Sequence, residues 1–138
     1  MFAARSSNDQ TKVTEDTSEL MMGEDFENST ALMHNEVVNI LLVKKQQNEN
    51  QDNVGSGVFE KSLAYVQRFS KYNTTQKEAI TKLRATLESW KLHEFEVASI
   101  CNLNPGRPDE AKALIPSLAR YKEDELEEII EDVLENVV

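Results

Sequence analysis

Residues 91–121 read KLHEFEVASICNLNPGRPDEAKALIPSLARY, and this stretch decides the fold because two short helical patterns meet at a turn within it. The first pattern begins at Leu92 and loses its helical spacing near residue 102. Pro105 disfavours the α region for Asn104, and Gly106 tolerates a positive φ, so these three residues are predicted to form the turn. We therefore expect a helix, a turn and a second helix, with no catalytic signature between them.

The second helix of this stretch is defined by its prolines. Pro108 suits the first helical position, where its missing N–H costs nothing, and Asp109 and Glu110 suit the positive end of the helix dipole. Pro116 is expected to break or kink the helix. A pair of short helices of this kind is typical of a small helical domain. Its apolar stripe consists of Ala111, Leu114, Ile115 and Leu118.

The length and composition indicate one domain with an extension. A chain of 138 residues does not provide two full domains, and 39% hydrophobic residues allow a core of limited size. A helical domain of about 80 residues buries roughly 60–65% of the surface of its unfolded chain. Such a domain folds with a small margin, so a partner protein that covers further apolar surface fits the composition.

The charge distribution argues against nucleic-acid binding by bulk electrostatics. The formal net charge is −10, whereas neutralisation of phosphates requires clustered Lys and Arg. The charge is uneven, because residues 58–92 carry a net charge of +4 and residues 122–138 a net charge of −7. The middle of the chain is therefore mildly basic and its end strongly acidic.

Cys101 is the single cysteine, which excludes a disulfide within the chain and favours a reducing compartment. Its position in a helical pattern predicts a buried, inert thiol. No apolar run approaches the ~20 residues that span a bilayer, and the N-terminus lacks the apolar region of a signal peptide. We expect no membrane partner.

The N-terminal part is predicted to contain a polar tail and a short apolar segment. Residues 1–17 lack periodicity and are predicted to be a disordered tail. Leu20, Met22 and Phe26 belong to the run LMMGEDF, which is too short to form a stable sheet alone. It either packs loosely on the helices or adds as an edge strand to the sheet of another protein.

A long helix is predicted from Ala31 to Gln47, with Ser29 or Thr30 as its N-cap. Its apolar surface is wider than one neighbouring helix requires, so it is either an ordinary core helix or one that also packs on a second protein. A polar segment at 49–57 is predicted to be a flexible loop between residues 18–48 and a helical domain at 58–138. The apolar positions of the long helix are Leu32, Met33, Val37, Ile40, Leu41 and Val43.

Three further helices are predicted from apolar spacing. Thr75 and Glu78 resemble a capping box for the second of them, and Trp90 at its end is expected in the core with its indole N–H bonded. The apolar positions are Phe59, Leu63, Val66 and Phe69 in the first, Ile80, Leu83, Leu87 and Trp90 in the second, and Leu126, Ile129, Ile130, Val133, Leu134 and Val137 in the last.

Enzymatic sites lack the necessary residues. The chain contains no glycine-rich phosphate loop, and neither His34 nor His93 has another His or Cys at metal-ligand spacing. His93 is instead expected at a helix cap or on the surface. The acidic residues of the last helix form either a solvated face or a surface for a basic partner. We predict no catalytic residue, metal, cofactor or small-molecule substrate.

Arg68, Lys71 and Tyr72 are candidates for a weak contact to RNA, because cations and an aromatic ring lie close in sequence there, although the net charge favours a solvated face. The alternative interpretation, that these residues belong to a solvated helix face, stays open. Further cations that would extend this set are Lys77, Lys82 and Arg84.

Three segments resemble the fourth-largest subunit of eukaryotic RNA polymerase II. They are LMMGEDF, FEKSLAYVQRFSKY at 59–72 and LHEFEVASICNLNP followed by DEAKALIPSL, and they occur in the order of that family. The resemblance covers residues 18–137. It implies a mostly α fold: an N-terminal strand and long helix, then a helical bundle similar to the C-terminal domain of RecQ helicases.

The resemblance also implies a non-catalytic role in the nucleus. The family forms the polymerase stalk as a heterodimer with the seventh-largest subunit, attached to the polymerase core and exposed to nascent RNA. We expect the partner interface at Leu20, Met22, Phe26, Leu32, Val37, Ile40 and Leu41. Two alternatives stay open: the equivalent stalk subunit of RNA polymerase III or a plant-specific polymerase, and a free-standing helical nucleic-acid-binding accessory domain.

Overall fold

The computed structural model describes residues 15–49, 57–70 and 77–136 of the chain. The described part is mostly helical, as predicted, and none of its helices is long and apolar enough to cross a membrane. Two short 3-10 helices, Thr17–Glu19 and Pro116–Arg120, accompany the α-helices. The α-helices are α1 His34–Glu49, α2 Gly57–Phe69, α3 Lys77–Ser89, α4 Glu94–Leu103, α5 Pro108–Leu114 and α6 Glu123–Leu134.

The hydrophobic core lies among α3, α4, α5 and α6, and Met33 from the segment before α1 is part of it. The apolar residues of α3 and α6 recur at helical spacing, so each of these helices places one stripe in the core. The thiol of Cys101 is fully buried there, as predicted. The main core residues are Leu83, Leu87, Val97, Ile100, Leu118, Leu126, Ile129 and Val133.

The turn between α4 and α5 forms where the prolines predicted it. Pro108 occupies the first turn of α5, and α5 ends before Pro116, which begins the second 3-10 helix. The residue with positive φ is Asn104 (φ 51°), not Gly106 as expected. Asn104 caps α4 in the left-handed region, which asparagine tolerates better than most residues, and its N–H bonds to Ile100 O.

The start of α1 was predicted wrongly. The helix begins at His34 and not at Ala31, and neither Ser29 nor Thr30 caps it. Instead, the N–H of Met33 donates to Glu36 Oε1 at 2.8 Å, which is one half of a capping box without a hydroxyl partner. The hydroxyl of Ser29 donates to the carbonyl of Asp25.

The segment predicted as a strand forms turns in the isolated chain. Met21 makes a single antiparallel bridge with Asp16, Leu20 has a left-handed backbone (φ 60°) and residues 24–28 are turn. A strand needs a neighbour for its backbone N–H and C=O groups, and within residues 15–49, 57–70 and 77–136 the segment makes only that bridge.

Three further expectations differ from the structure at the edges of helices. Phe69 and Leu134 were assigned to buried stripes but are exposed. Trp90 is only partly buried, and its Nε1–H donates to Asp132 Oδ2 at 3.2 Å at the margin of the core. The ends of the predicted loop at 49–57 belong to α1 and α2, and residues 50–56, Thr75 and Val137 lie outside the described residues.

Candidate partner-docking site

Three sides of helix α1 have different environments. Asn35 and Val38 are buried. His34, Val37 and Leu41 follow at i, i+3 and i+7 and are half-buried; the ring of His34 lies 5.8 Å, centroid to centroid, from the ring of Tyr65 in α2. This second side therefore faces α2.

The third side of α1 is exposed to solvent. Ile40 and Val43 are 48% and 54% exposed, and Leu32 before the helix is 40% exposed. These residues line a groove of about 590 Å³ between α1 and α3, to which α3 contributes Lys77 and Thr81. An apolar groove rimmed by polar residues is typical of an interaction surface.

The first turn of α1 is fixed to the domain by Arg84 of α3. Its guanidinium donates to Glu36 from Nη2 at 2.5 Å and from Nε at 3.0 Å, a two-point contact with one carboxylate. The same group donates to Glu94 Oε2 at 3.1 Å and to the carbonyl of Ala31 at 2.8 Å. Arg84 therefore joins the segment before α1, helix α1 and the start of α4.

Nearby charges and burial have opposite effects on the pKa of Arg84. Burial disfavours the charged guanidinium, but the hydrogen bond and the charge of Glu36 outweigh it, so the pKa of Arg84 is raised. A further bond joins α1 to α4, because the N–H of His34 donates to Asn102 Oδ1 at 3.0 Å. Helix α1 is thus built into the domain at its N-terminal end and is not a free arm.

The seven predicted interface residues occupy three different environments. Leu32 and Ile40 lie together in the exposed groove. Val37 and Leu41 lie on the side that faces α2, and the other three belong to the turns before α1. Of these three, Phe26 is exposed, while Leu20 and Met22 are partly covered.

The turn before α1 depends on Gly23, which has a φ of 80°. This left-handed backbone favours glycine, whereas the nearest atom to an added Cβ, Glu15 Oε1 at 2.5 Å, belongs to an exposed side chain that can move. The first 3-10 helix is capped by Asp16, whose Oδ1 accepts from the Ser18 N–H at 3.0 Å. The pKa of Asp16 is lowered chiefly by the hydrogen bond from the Ser18 hydroxyl.

The described members of the predicted basic set for RNA lie on two different helices, α2 and α3. Arg68 is exposed on α2, whereas Arg84 is occupied by carboxylates and half-buried. Lys77 lines the groove beside α1. Lys71 and Tyr72 lie outside the described residues. The charge of Arg84 is paired with Glu36 and Glu94, so this residue is the least available of the set for a phosphate.

A buried ion pair was not found by sequence reasoning. Glu96 is fully buried and accepts from Arg120 Nη1 at 2.7 Å, from Arg120 Nη2 at 2.5 Å and from the Ser117 hydroxyl at 2.6 Å. The sequence contains a signal for one role of Glu96, because a residue three positions after His93 has the spacing of a capping box. The contact with Arg120 has no such local signal.

His93 takes the role predicted for it as a helix cap. Its Nδ1 accepts from the Phe95 N–H at 3.4 Å, and its own N–H donates to Glu96 Oε1 at 2.8 Å.

Across residues 15–49, 57–70 and 77–136, no group of three His, Cys, Asp or Glu side chains is placed to hold a metal ion. The geometry at α1 is that of a binding surface.

Comparisons with known proteins identify related sequences. The family model described as RNA polymerase Rpb4 matches residues 31–136. The DNA-directed RNA polymerase II subunit rpb4 of Dictyostelium discoideum is 41% identical over 95 residues, which cover 69% of this chain and 59% of that protein. The DNA-directed RNA polymerase II subunit 4 of Arabidopsis thaliana is 38% identical over 127 residues, which cover 89% of this chain and 91% of that protein.

A further relative is the DNA-directed RNA polymerase II subunit RPB4 of Saccharomyces cerevisiae, 32% identical over 99 residues, which cover 71% of this chain. The chain spans 59% of the length of the Dictyostelium relative and 41% of the yeast one. The matched region includes α1, the groove and the helical core.

Proposed function

The chain belongs to the RNA polymerase Rpb4 family, and from this membership we propose that it is the non-catalytic fourth subunit of RNA polymerase II. In this role it forms the stalk as a heterodimer with the seventh-largest subunit and attaches to the polymerase core. The observation that carries the proposal is the family match over residues 31–136, which includes both α1 and the core. The polymerase II names of the relatives favour this enzyme over polymerase III.

The exposed side of α1 supports a permanent partner. Exposed Ile40 and Val43 do not stabilise a lone domain. Their burial against a partner would stabilise a complex by roughly 25 cal/mol per Å² of apolar surface. Interfaces of permanent pairs often exceed ~2,000 Å², more than this groove alone supplies. Leu20, Met22 and Phe26 extend the surface if their segment adds as a strand to the sheet of the partner.

The role that follows is scaffolding in the nucleus. The chain positions its partner beside the polymerase and presents surfaces to initiation factors and to nascent RNA. No step of nucleotide transfer is assigned to it. The RNA contact at Arg68, Lys71 and Tyr72 stays a proposal of lower rank, because a net charge of −10 repels phosphates.

A docking experiment tests the proposal on the outer side of α1. The double variant Ile40→Asp/Val43→Asp places two charges in the groove, and we expect it to lose the seventh subunit on co-expression. Size-exclusion chromatography with light scattering measures the complex. The wild-type chain is expected to give a one-to-one heterodimer. Leu134→Asp is the matched control, since Leu134 is also an exposed apolar residue but lies on α6.

Val37 and Leu41 are less suitable for this test, because their side of α1 faces α2 and a charge there would also disturb the fold. A double variant that still co-purifies at full stoichiometry would exclude the groove from the interface. A wild-type chain that remains a monomer, ignores the seventh subunit and binds RNA with strong salt dependence would support the free-standing nucleic-acid module instead.

A further inference from the structure

Helix α2 carries a second, exposed apolar line beside its buried side. Its inner side is provided by Leu63 and Val66, which are buried. On its outer side, Val58, Tyr65 and Phe69 are 74%, 56% and 44% exposed. They follow at i, i+7 and i+11, which places them along one face of a helix. A helix that packs only on its own domain would be polar on this side.

The aromatic rings of this line are packed against each other. The centroids of Tyr65 and Phe69 are 4.8 Å apart with planes tilted by 49°. The edge contact between His34 and Tyr65 extends the cluster to α1. Ordered aromatic side chains lose little entropy on binding, and tyrosine is enriched among the residues that dominate interfaces. The line is therefore a preformed apolar surface.

Two cations run alongside the apolar line. Lys61 and Arg68 are both exposed and follow at i and i+7, so they lie on one side of the line along the same helix. The guanidinium carbon of Arg68 is 5.7 Å from the centroid of the Phe69 ring. Glu60, the one acidic residue of α2, is turned away from this side by its helical position. This basic face is an exception in a chain with a net charge of −10.

We propose that the outer face of α2, formed by Val58, Lys61, Tyr65, Arg68 and Phe69, binds an acidic amphipathic helix of a partner protein. The apolar line is about 16 Å long at 1.5 Å per residue, which matches three turns of a second helix. An apolar stripe in that helix covers the rings, and its acidic flank meets the two cations. This face is separate from the α1 groove, so the proposal does not rest on the stalk assignment.

The ring geometry favours a protein helix over single-stranded RNA. Stacking of successive bases requires open ring faces, whereas Tyr65 and Phe69 use part of theirs in contact with each other. Two exposed cations on α2 also supply little phosphate neutralisation.

The test uses the full chain and a labelled synthetic peptide of about four turns, with Leu at i, i+4, i+7 and i+11 and Glu on one flank. A matched peptide has Gln in place of every Glu. Fluorescence anisotropy measures both dissociation constants. We expect the acidic peptide to bind about tenfold more tightly than the Gln peptide, and this difference to shrink as salt rises.

Charge reversal identifies the surface. Lys61→Glu/Arg68→Glu is expected to weaken binding of the acidic peptide at least about tenfold, because attraction becomes repulsion. Val58→Ser, at a residue that is mostly in solvent, is expected to weaken it about threefold without affecting the fold. Lys82→Glu on α3 is the control, with less than about a twofold effect. Circular dichroism verifies that each variant keeps its helix content.

Three results would overturn the proposal. They are no detectable binding of the acidic peptide, equal binding of the two peptides, and unchanged binding in the charge-reversal variant. A uridine oligonucleotide that binds more tightly than the peptide and is lost in the same variant would assign this face to RNA.

Discussion

Glu96 illustrates how a single residue can hold two elements of this fold together. Its carboxylate lies fully buried between α4 and the second 3-10 helix and is bonded to Arg120 and Ser117. Taking a carboxylate out of water is costly, so the arrangement is stable only while these donors are present. Its role is structural and specific to the folded state.

We predict that Glu96→Gln lowers the free energy of unfolding by about 2–3 kcal/mol at neutral pH. The amide cannot accept the two-point contact from Arg120, and its NH₂ group is left facing donors. Urea unfolding of the full chain followed by circular dichroism measures the change. Glu127→Gln, the same substitution on the exposed face of α6, should stay within about 0.5 kcal/mol of wild type. Equal losses in both variants would contradict a specific role for Glu96.

At the scale of an element, helix α1 has two roles, attachment to the domain and presentation of an exposed groove. Its apolar spacing in the sequence does not distinguish them. Its N-terminal turn is fastened to α3 and α4, while its outer side is left exposed. A helix fixed in this way presents its groove in one orientation, which lowers the entropy cost of binding a partner. Arg84 is the residue that makes this connection.

We predict that Arg84→Met detaches the start of α1 from the domain. The substitution keeps an apolar stem and removes the contacts to Glu36, Glu94 and the Ala31 carbonyl. Amides of the first turns of α1 should then exchange hydrogen at least about tenfold faster, because local opening costs less. Hydrogen-exchange mass spectrometry measures this. Lys82→Met, an exposed residue on the same helix, should leave their exchange unchanged, and equal protection in both variants would contradict the anchoring role.

At the scale of the whole molecule, two effects of pH oppose each other. The chain has 25 acidic and 15 basic residues, so protonation of carboxylates relieves repulsion. Glu96 acts the other way. Burial alone would raise its pKa, but the hydrogen bonds from Arg120, Ser117 and the His93 N–H outweigh burial and hold the pKa below the ordinary value of 4.5.

We predict that the stability difference between wild type and Glu96→Gln depends on pH. Because the folded-state pKa of Glu96 is lowered, its contribution is fully present above the unfolded-state value and is lost as pH falls through the folded-state value. The difference should be constant from pH 7 to 6 and shrink below about pH 4.5. Urea titrations at several pH values measure it. A difference that grows in acid would show that Glu96 is not the group responsible.

The distribution of surfaces also belongs to the whole molecule. The groove beside α1 and the outer face of α2 expose apolar residues on two neighbouring helices, while α6 is acidic on its outer side. We propose the first surface as the site of the stalk partner and the second as the site of an acidic helix. The sequence indicated the first surface through Leu32 and Ile40, whereas Val58 and Tyr65 of the second were not part of the stripe predicted for α2.

The sequence by itself determined the helical class, the turn between α4 and α5, the buried thiol at Cys101 and the family. These features depend on residues close in the chain: Pro108 and Pro116 set helix ends through their own backbone geometry, and apolar spacing sets the faces of α3 and α6. The family resemblance needed only the order of short segments, and the match over residues 31–136 confirmed it.

Only the tertiary structure decided which side of α1 is exposed, where α1 begins and which charges are paired. Arg84 and Glu36 are 48 residues apart, and Glu96 and Arg120 are 24 apart. No pattern of neighbouring residues therefore predicts either contact. Ile40 and Leu41 are adjacent apolar residues of similar size. Ile40 nevertheless lies in the groove, whereas Leu41 is on the side of α1 that faces α2. Burial is a property of what packs nearby, and the neighbours come from distant parts of the chain.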